Sequence, residues 1–139
     1  MENSVREYHE ENRIPHAREG YTWVFASNLA GRHASGSAKV ARVNFHAAYG
    51  VGRGPTGNAY ALPTKDKSLK PLSLTEIQYS IEEFFEHAAM HPARKFFVSS
   101  VTSETGQMDE VIGVLFSKAP INCSLPLAWK QFGHSSNPS

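Results

Sequence analysis

Residues 73–92 constrain the fold more tightly than any other stretch of this chain. Ser73 and Glu76 have capping-box spacing, so the Ser73 hydroxyl is placed to accept from the third helical N–H. Behind them Leu74, Ile77, Ile81, Phe84, Phe85 and Ala88 recur at helical spacing and make one apolar face. Pro92 ends the run, because the residue before a proline is pushed out of the helical region. A helix with one apolar face must bury it against another layer. The neighbouring segments supply that layer. Residues 21–25 (Tyr-Thr-Trp-Val-Phe), 58–62 and 95–101 are β-branched, aromatic or apolar runs of strand length. Residues 37–48 and 109–116 have helical patterning, and Val111, Ile112, Leu115 and Phe116 form the apolar set of the second.

Strands alternating with helices predict an α/β domain built on a mostly parallel sheet. In that architecture ligands bind in the crevice beyond the carboxyl ends of the strands. The loops predicted there are 26–36, 63–66 and 102–108. At 139 residues, with 40% apolar and 19% charged residues, the chain has length for one core and an ordinary globular composition. Residues 1–19, polar and without periodicity, are expected to form a flexible or loosely docked arm. Residues 20–132 would be the folded domain and 133–139 a disordered tail.

The formal net charge of +1 favours neither nucleic acid nor membrane. The single Cys123 excludes an internal disulfide and points to a reducing, cytoplasmic setting. No apolar run approaches a membrane span, and the first residues lack the apolar core of a signal peptide. Local charge carries more information. Between residues 32 and 70, Arg32, Lys39, Arg42, Arg53, Lys65, Lys67 and Lys70 face only Asp66, a balance suited to a phosphate or another anion.

Three segments fall where an anion would lie. In residues 27–36, Ser27, Asn28, Gly31, Arg32, His33, Ser35 and Gly36 sit between a strand and a helix. Glycines there let backbone N–H groups approach an anion, and the helix N-terminus adds unpaired donors. Asn28 is placed to bond a ribose or base edge, Arg32 a phosphate. The structural alternative is a plain turn with Asn28 in an unusual dihedral. Residues 50–57, with Gly52, Arg53 and Gly54 at their centre, fit a phosphate-covering loop or a mobile connection. Thr64, Lys65 and Asp66 end a strand with three polar groups; Lys65 would hold a phosphate or act as a base or nucleophile, unless the segment is a surface turn. The seven histidines show no tight metal pattern, and His87 with His91 reads as a surface pair. Cys123, beside Leu125 and Pro126, reads as a packed small hydrophobe. No cofactor or metal is expected.

Residues 25–33 (Phe-Ala-Ser-Asn-Leu-Ala-Gly-Arg-His), 50–57, 60–66 (Tyr-Ala-Leu-Pro-Thr-Lys-Asp) and 119–129 together resemble a family of small phage and prophage proteins of macro-domain type. A more distant similarity is to macro domains that remove ADP-ribose from acidic side chains or DNA. It lies in Thr64-Lys65, Lys70-Pro71 and the helix from Ser73. The resemblance implies a three-layer α/β/α fold with a cleft for ADP-ribose or a related nucleotide. Asn28, Gly31 and Gly36 would line the distal ribose and diphosphate. Lys65 would match the nucleophilic lysine of the hydrolytic members. Those members also use a carboxylate in a glycine-rich loop; here residues 102–108 lack the glycine spacing and offer Glu104 or Asp109.

Three functions follow as expectations. The first is a non-catalytic binder of ADP-ribose or a related nucleotide signal, in the host cytoplasm if phage-encoded. The second is an ADP-ribosyl hydrolase with Lys65 as nucleophile and Glu104 or Asp109 as acid/base. The third is a nucleic-acid-binding or homo-oligomeric accessory protein, with Tyr49 and Tyr60 as candidate stacking groups.

Overall fold

The computed structural model describes residues 5–33, 36–99 and 106–132, with backbone alone at 106–109. Six strands form one sheet: β1 (Tyr8–His9), β2 (Tyr21–Asn28), β3 (Gly54–Thr56), β4 (Ala59–Lys65), β5 (Lys95–Val98) and β6 (Cys123–Pro126). Their order is β1-β6-β5-β2-β4-β3, and every pairing is parallel except β3 with β4. The helices are α1 (Gly36–Asn44), α2 (Leu74–Ala89) and α3 (Gly106–Phe116). Among the described residues no helix is long and apolar enough to cross a membrane.

Period-two alternation along the strands divides the interior into two clusters. Val24, Tyr60, Leu62, Phe96, Val98, Cys123 and Leu125 pack with Ile77, Ile81, Phe84 and Ala88 of α2, Ile112 and Phe116 of α3, and Trp129. Trp23, Phe25, Ala59, Ala61 and Phe97 pack instead with Ala38 and Ala41 of α1, Phe45 and Ala47. The capping box of α2 forms as predicted: the Ser73 hydroxyl accepts from Glu76 N–H at 3.2 Å, and the Glu76 carboxylate accepts from Ser73 N–H at 3.0 Å.

Helix α1 stops four residues short of its predicted end. His46 takes a left-handed φ of 62°, which turns the chain out of the helix, and Ala47 N–H returns to the Ala41 carbonyl at 3.0 Å. Glycine usually marks that position; here it is histidine, so no sequence signal announced the stop. Residues 54–56, predicted as loop, pair with β4. The ladder extends only from Ala59 to Ala61, which leaves Pro63 on a stretch of β4 where its missing N–H costs nothing on that side. Strand β6 escaped prediction because Cys-Ser-Leu-Pro is too short and mixed to show a period, yet all four residues are buried.

Residues 5–19 depart most from the expected arm. Tyr8 and His9 pair with Leu125 and Pro126. The Arg6 guanidinium donates to the carbonyls of Ala119 (2.5 Å), Pro120 (2.6 Å) and Cys123 (3.0 Å). The Tyr21 hydroxyl donates to the Glu7 carboxylate. His9 stacks on Phe97 with ring centroids 3.6 Å apart, and Arg13 lies over the same ring. The physical reason is coverage. Phe97 belongs to the same cluster as α1, and it is His9 and Arg13 of this segment that lie on its ring.

His9 has a consequence for pH. Its Nε2–H donates to the Val98 carbonyl at 2.9 Å, so Nδ1 accepts from the Ser124 hydroxyl at 2.7 Å, and the ring is neutral. Burial is the main cause that pushes its pKa from 6.5 down to about 4. The unfolded chain therefore binds a proton between those values that the folded chain does not, and stability falls as pH drops through that window. Urea unfolding is expected to show about 2 kcal/mol less stability at pH 5 than at pH 7. His9→Phe should remove most of that difference; an undiminished difference in the variant would contradict the assignment.

Candidate functional site

The carboxyl ends of β2 and β4 open into a cleft of about 330 Å³ lined by Ala26, Ser27, Asn28, Arg32, Ala38, Thr64, Lys65 and Leu69. Both strand ends are shaped locally. The β2–β4 register slips between Ser27, paired with Pro63, and Asn28, paired with Lys65, leaving Thr64 as an extra residue. Such an irregularity bends a strand and re-aims its side chains. Thr64 and Lys65 accordingly both line the cleft. The buried Thr64 hydroxyl lies 3.5 Å from the Ser27 carbonyl, and the Ser27 hydroxyl donates to the Gly52 carbonyl at 2.5 Å.

Asn28 closes its own loop. Its Oδ1 accepts from Arg32 N–H at 3.1 Å and its Nδ2 donates to the Arg32 carbonyl at 3.0 Å. Its φ is not positive, so the unusual dihedral weighed for a plain turn is not what shapes this loop. The clamp fixes the course of residues 28–32 and holds the exposed Arg32 at the cleft.

The glycines behind this loop are there for close approach. A Cβ at Gly31, whose φ is 72°, would lie 2.2 Å from the Gly50 carbonyl carbon, and one at Gly52 would lie 2.1 Å from the Asn28 carbonyl oxygen. Gly50 N–H donates to the Gly31 carbonyl at 2.8 Å. The 27–33 and 50–52 segments are thus pinned backbone to backbone. His33 is fully buried behind them: Nε2 bonds the Val51 carbonyl at 2.9 Å, and the ring stands edge-on to Phe25. It supports the loop and does not line the cleft. Gly36 opens α1 with a φ of 60° and open space around it.

Two residues predicted beside the anion lie elsewhere. Arg53 pairs with Glu83 of α2 at 3.0 Å and reaches over Tyr79. Gly54 belongs to β3, and both residues border a separate hollow with Tyr60, Glu86 and His87. The pairing of β3 with β4 carries them there, which a reading of 50–57 as loop had no means to place. Asp66 stands next to the cleft with its carboxylate directed into its own turn, accepting from Ser68 N–H at 2.8 Å and Lys70 N–H at 3.0 Å. Ser35 and Glu104 lie outside the described residues, as does the side chain of Asp109.

Three lining residues, Ala26, Ala38 and Leu69, were absent from the expected set. Strand position foreshadows Ala26, and Ala38 follows from α1 starting at Gly36. Leu69 had no sequence signal, since a leucine between charged residues of a loop announces nothing. Cys123 is fully buried in the cluster under α2 and α3, and burial pushes its thiol up to about 12, so it is inert at neutral pH. Among the described residues no group of three His, Cys, Asp or Glu side chains is placed to hold a metal.

The arrangement is chemically one-sided. The lining residues include Arg32 and Lys65 and no carboxylate among those described, while the hydroxyls of Ser27 and Thr64 and the Asn28 amide are bonded to backbone groups of the surrounding loops. The first turn of α1 meets it at Ala38, and that end of a helix carries unpaired N–H groups and positive potential. No protein-family model matches this chain, and comparisons with curated proteins and with solved structures return no match.

Proposed function

We propose that this chain binds ADP-ribose or a related nucleotide anion in the cleft between β2, β4 and the start of α1, without catalysis. The observation that carries the reading is the pair Arg32, in the loop after β2, and Lys65, at the carboxyl end of the neighbouring parallel strand β4, in a cleft with no carboxylate among its described lining residues. Parallel sheets bind ligands at that end, and helix N-termini there favour phosphate. The sequence likeness to phage macro-type proteins agrees with this position, as do the two apolar clusters on opposite strand faces.

A second reading, hydrolysis of an ADP-ribosyl bond, draws on one observation: Lys65, the candidate nucleophile, lines the same cleft, half-buried. Its acid/base partner would have to come from outside the described lining residues, where Glu104 and Asp109 are the candidates.

Calorimetric titration with ADP-ribose, then NAD and cyclic dinucleotides, separates these. Saturable binding is expected, and each of Lys65→Ala and Arg32→Ala should weaken it about thirtyfold, equivalent to about 2 kcal/mol for a charge-assisted phosphate contact. Affinity unchanged from the parent in both variants would remove the cleft from the account. Release of ADP-ribose from modified protein or DNA, abolished in Lys65→Ala, would replace the binder with the hydrolase. Binding to oligonucleotides that falls steeply with salt would favour the nucleic-acid reading instead.

A further inference from the structure

Leu69 is held in a conformation that leucine disfavours, at the edge of the cleft. Its φ is 66°, and among the described residues only His46 shares a positive φ without being glycine. In the left-handed region Cβ crowds the following carbonyl, so glycine or asparagine would make this turn at lower cost. The turn nevertheless fixes the residue firmly. Leu69 N–H donates to the Asp66 carbonyl at 3.0 Å, and Asp66 N–H donates to the Lys70 carbonyl at 2.8 Å. The Asp66 carboxylate bonds Ser68 and Lys70 N–H on either side, and Lys65 and Pro71 form a bridge that closes the base.

This side chain belongs to neither core cluster and is 46% exposed. An exposed leucine alone is ordinary. One kept in a strained backbone, clasped by four hydrogen bonds and bordering a cleft beside Lys65 and Arg32, is not explained by packing. Backbone strain of this kind persists where the surroundings over-determine it, and it concentrates at ligand sites. With Ala26 and Ala38, Leu69 gives the cleft an apolar portion next to its two cations.

We infer that Leu69 is a specificity residue: its isobutyl group covers the face of a sugar or base ring while the cations hold the phosphates. The cleft therefore prefers a nucleotide to a bare phosphate. This rests on the nucleotide-binding reading above and adds to it the residue that contacts the ligand's ring. Losing the apolar contact should weaken ring-bearing ligands alone, by about tenfold, the equivalent of about 1.4 kcal/mol.

The test uses Leu69→Gly and Leu69→Asn, both compatible with the left-handed turn, titrated calorimetrically with ADP-ribose and with inorganic pyrophosphate. Both variants should melt within about 3 °C of the parent, since relief of strain offsets the lost side chain. Both should bind ADP-ribose about tenfold more weakly and pyrophosphate unchanged. Unaltered ADP-ribose affinity would overturn the inference, as would an equal loss for both ligands, which would make the turn and not the side chain responsible. A large drop in melting temperature would make Leu69 a packing residue and overturn it too. A parent protein that binds neither ligand would instead refute the underlying reading of the cleft, and this inference with it.

Discussion

Removing residues 1–9 is expected to destabilise the fold by about 5 kcal/mol and to lower its melting temperature by more than about 10 °C. Among the described residues of this segment, Arg6, Glu7 and His9 each anchor it to the sheet or its connections. Arg6 satisfies three carbonyls of the 119–123 connection at once. Glu7 accepts from Tyr21, and its own carbonyl accepts from Leu125 N–H at 3.1 Å. His9 makes two buried hydrogen bonds and covers Phe97, which is 1% exposed in the intact chain. Truncation leaves Phe97 facing water on that side and Ser124 without its partner. Each hydrogen bond contributes about 1 kcal/mol net and uncovering aromatic surface adds about 2 kcal/mol, but the conformational freedom that ordering the segment costs offsets part of this and leaves about 5 kcal/mol. Thermal unfolding followed by circular dichroism measures the sum. An unchanged melting temperature would mean that residues 1–9 are the loose arm that their composition implies.

The second large effect is expected at Gly52. A methyl group there would stand 2.1 Å from the Asn28 carbonyl oxygen, with the Asn28 carbonyl carbon and Leu29 Cα both at 3.1 Å. All three are backbone atoms of the cleft loop, so no side chain can swing away to make room. Gly52→Ala should cost about 3 kcal/mol, the upper range for overpacking, and should displace Asn28 and with it the clamp on Arg32. Ligand affinity and stability are then lost together. Gly36→Ala is the control, because Gly36 has a positive φ but open space around it. Its cost is confined to backbone conformation, about 1 kcal/mol. Chemical denaturation of both variants tests this, and a Gly52→Ala protein as stable as Gly36→Ala would show that the loops are not pinned.

The architecture was legible wherever a strong local rule coincided with the global fold. The capped helix α2, the strand-like runs 21–25 and 95–101 (of which Lys95–Val98 form β5), and the mostly parallel α/β sheet all follow from period, caps and β-branched composition. The failures share a cause. β1 and β6 are short, and their identity as strands comes from pairing distant in sequence, β1 with β6 over more than a hundred residues and β6 also with β5, which no local pattern records. The end of α1 was missed because His46 does what glycine usually does there.

The site was legible in part for the same reason. Ser27, Asn28, Thr64 and Lys65 occupy strand ends and Arg32 the loop after β2, where the rule for parallel sheets places a cleft. Gly31, Gly52 and His33 were placed beside the ligand because glycine and histidine are chemically suggestive. In the fold they shape and brace the loop from behind. Arg53 was grouped with the other cations by sequence proximity, and the antiparallel turn into β3 carries it to Glu83 instead. Leu69 was invisible because what singles it out is a left-handed backbone angle, which a leucine between charged residues does not announce.

The central claim concerns where a nucleotide anion binds, and amide chemical-shift mapping of the isotope-labelled protein during titration with ADP-ribose tests it most directly. The account predicts saturable shifts concentrated at residues 26–32, the first turn of α1 and residues 64–69. Shifts concentrated instead around Arg53, Tyr60 and His87, or none at high ligand concentration, would contradict it.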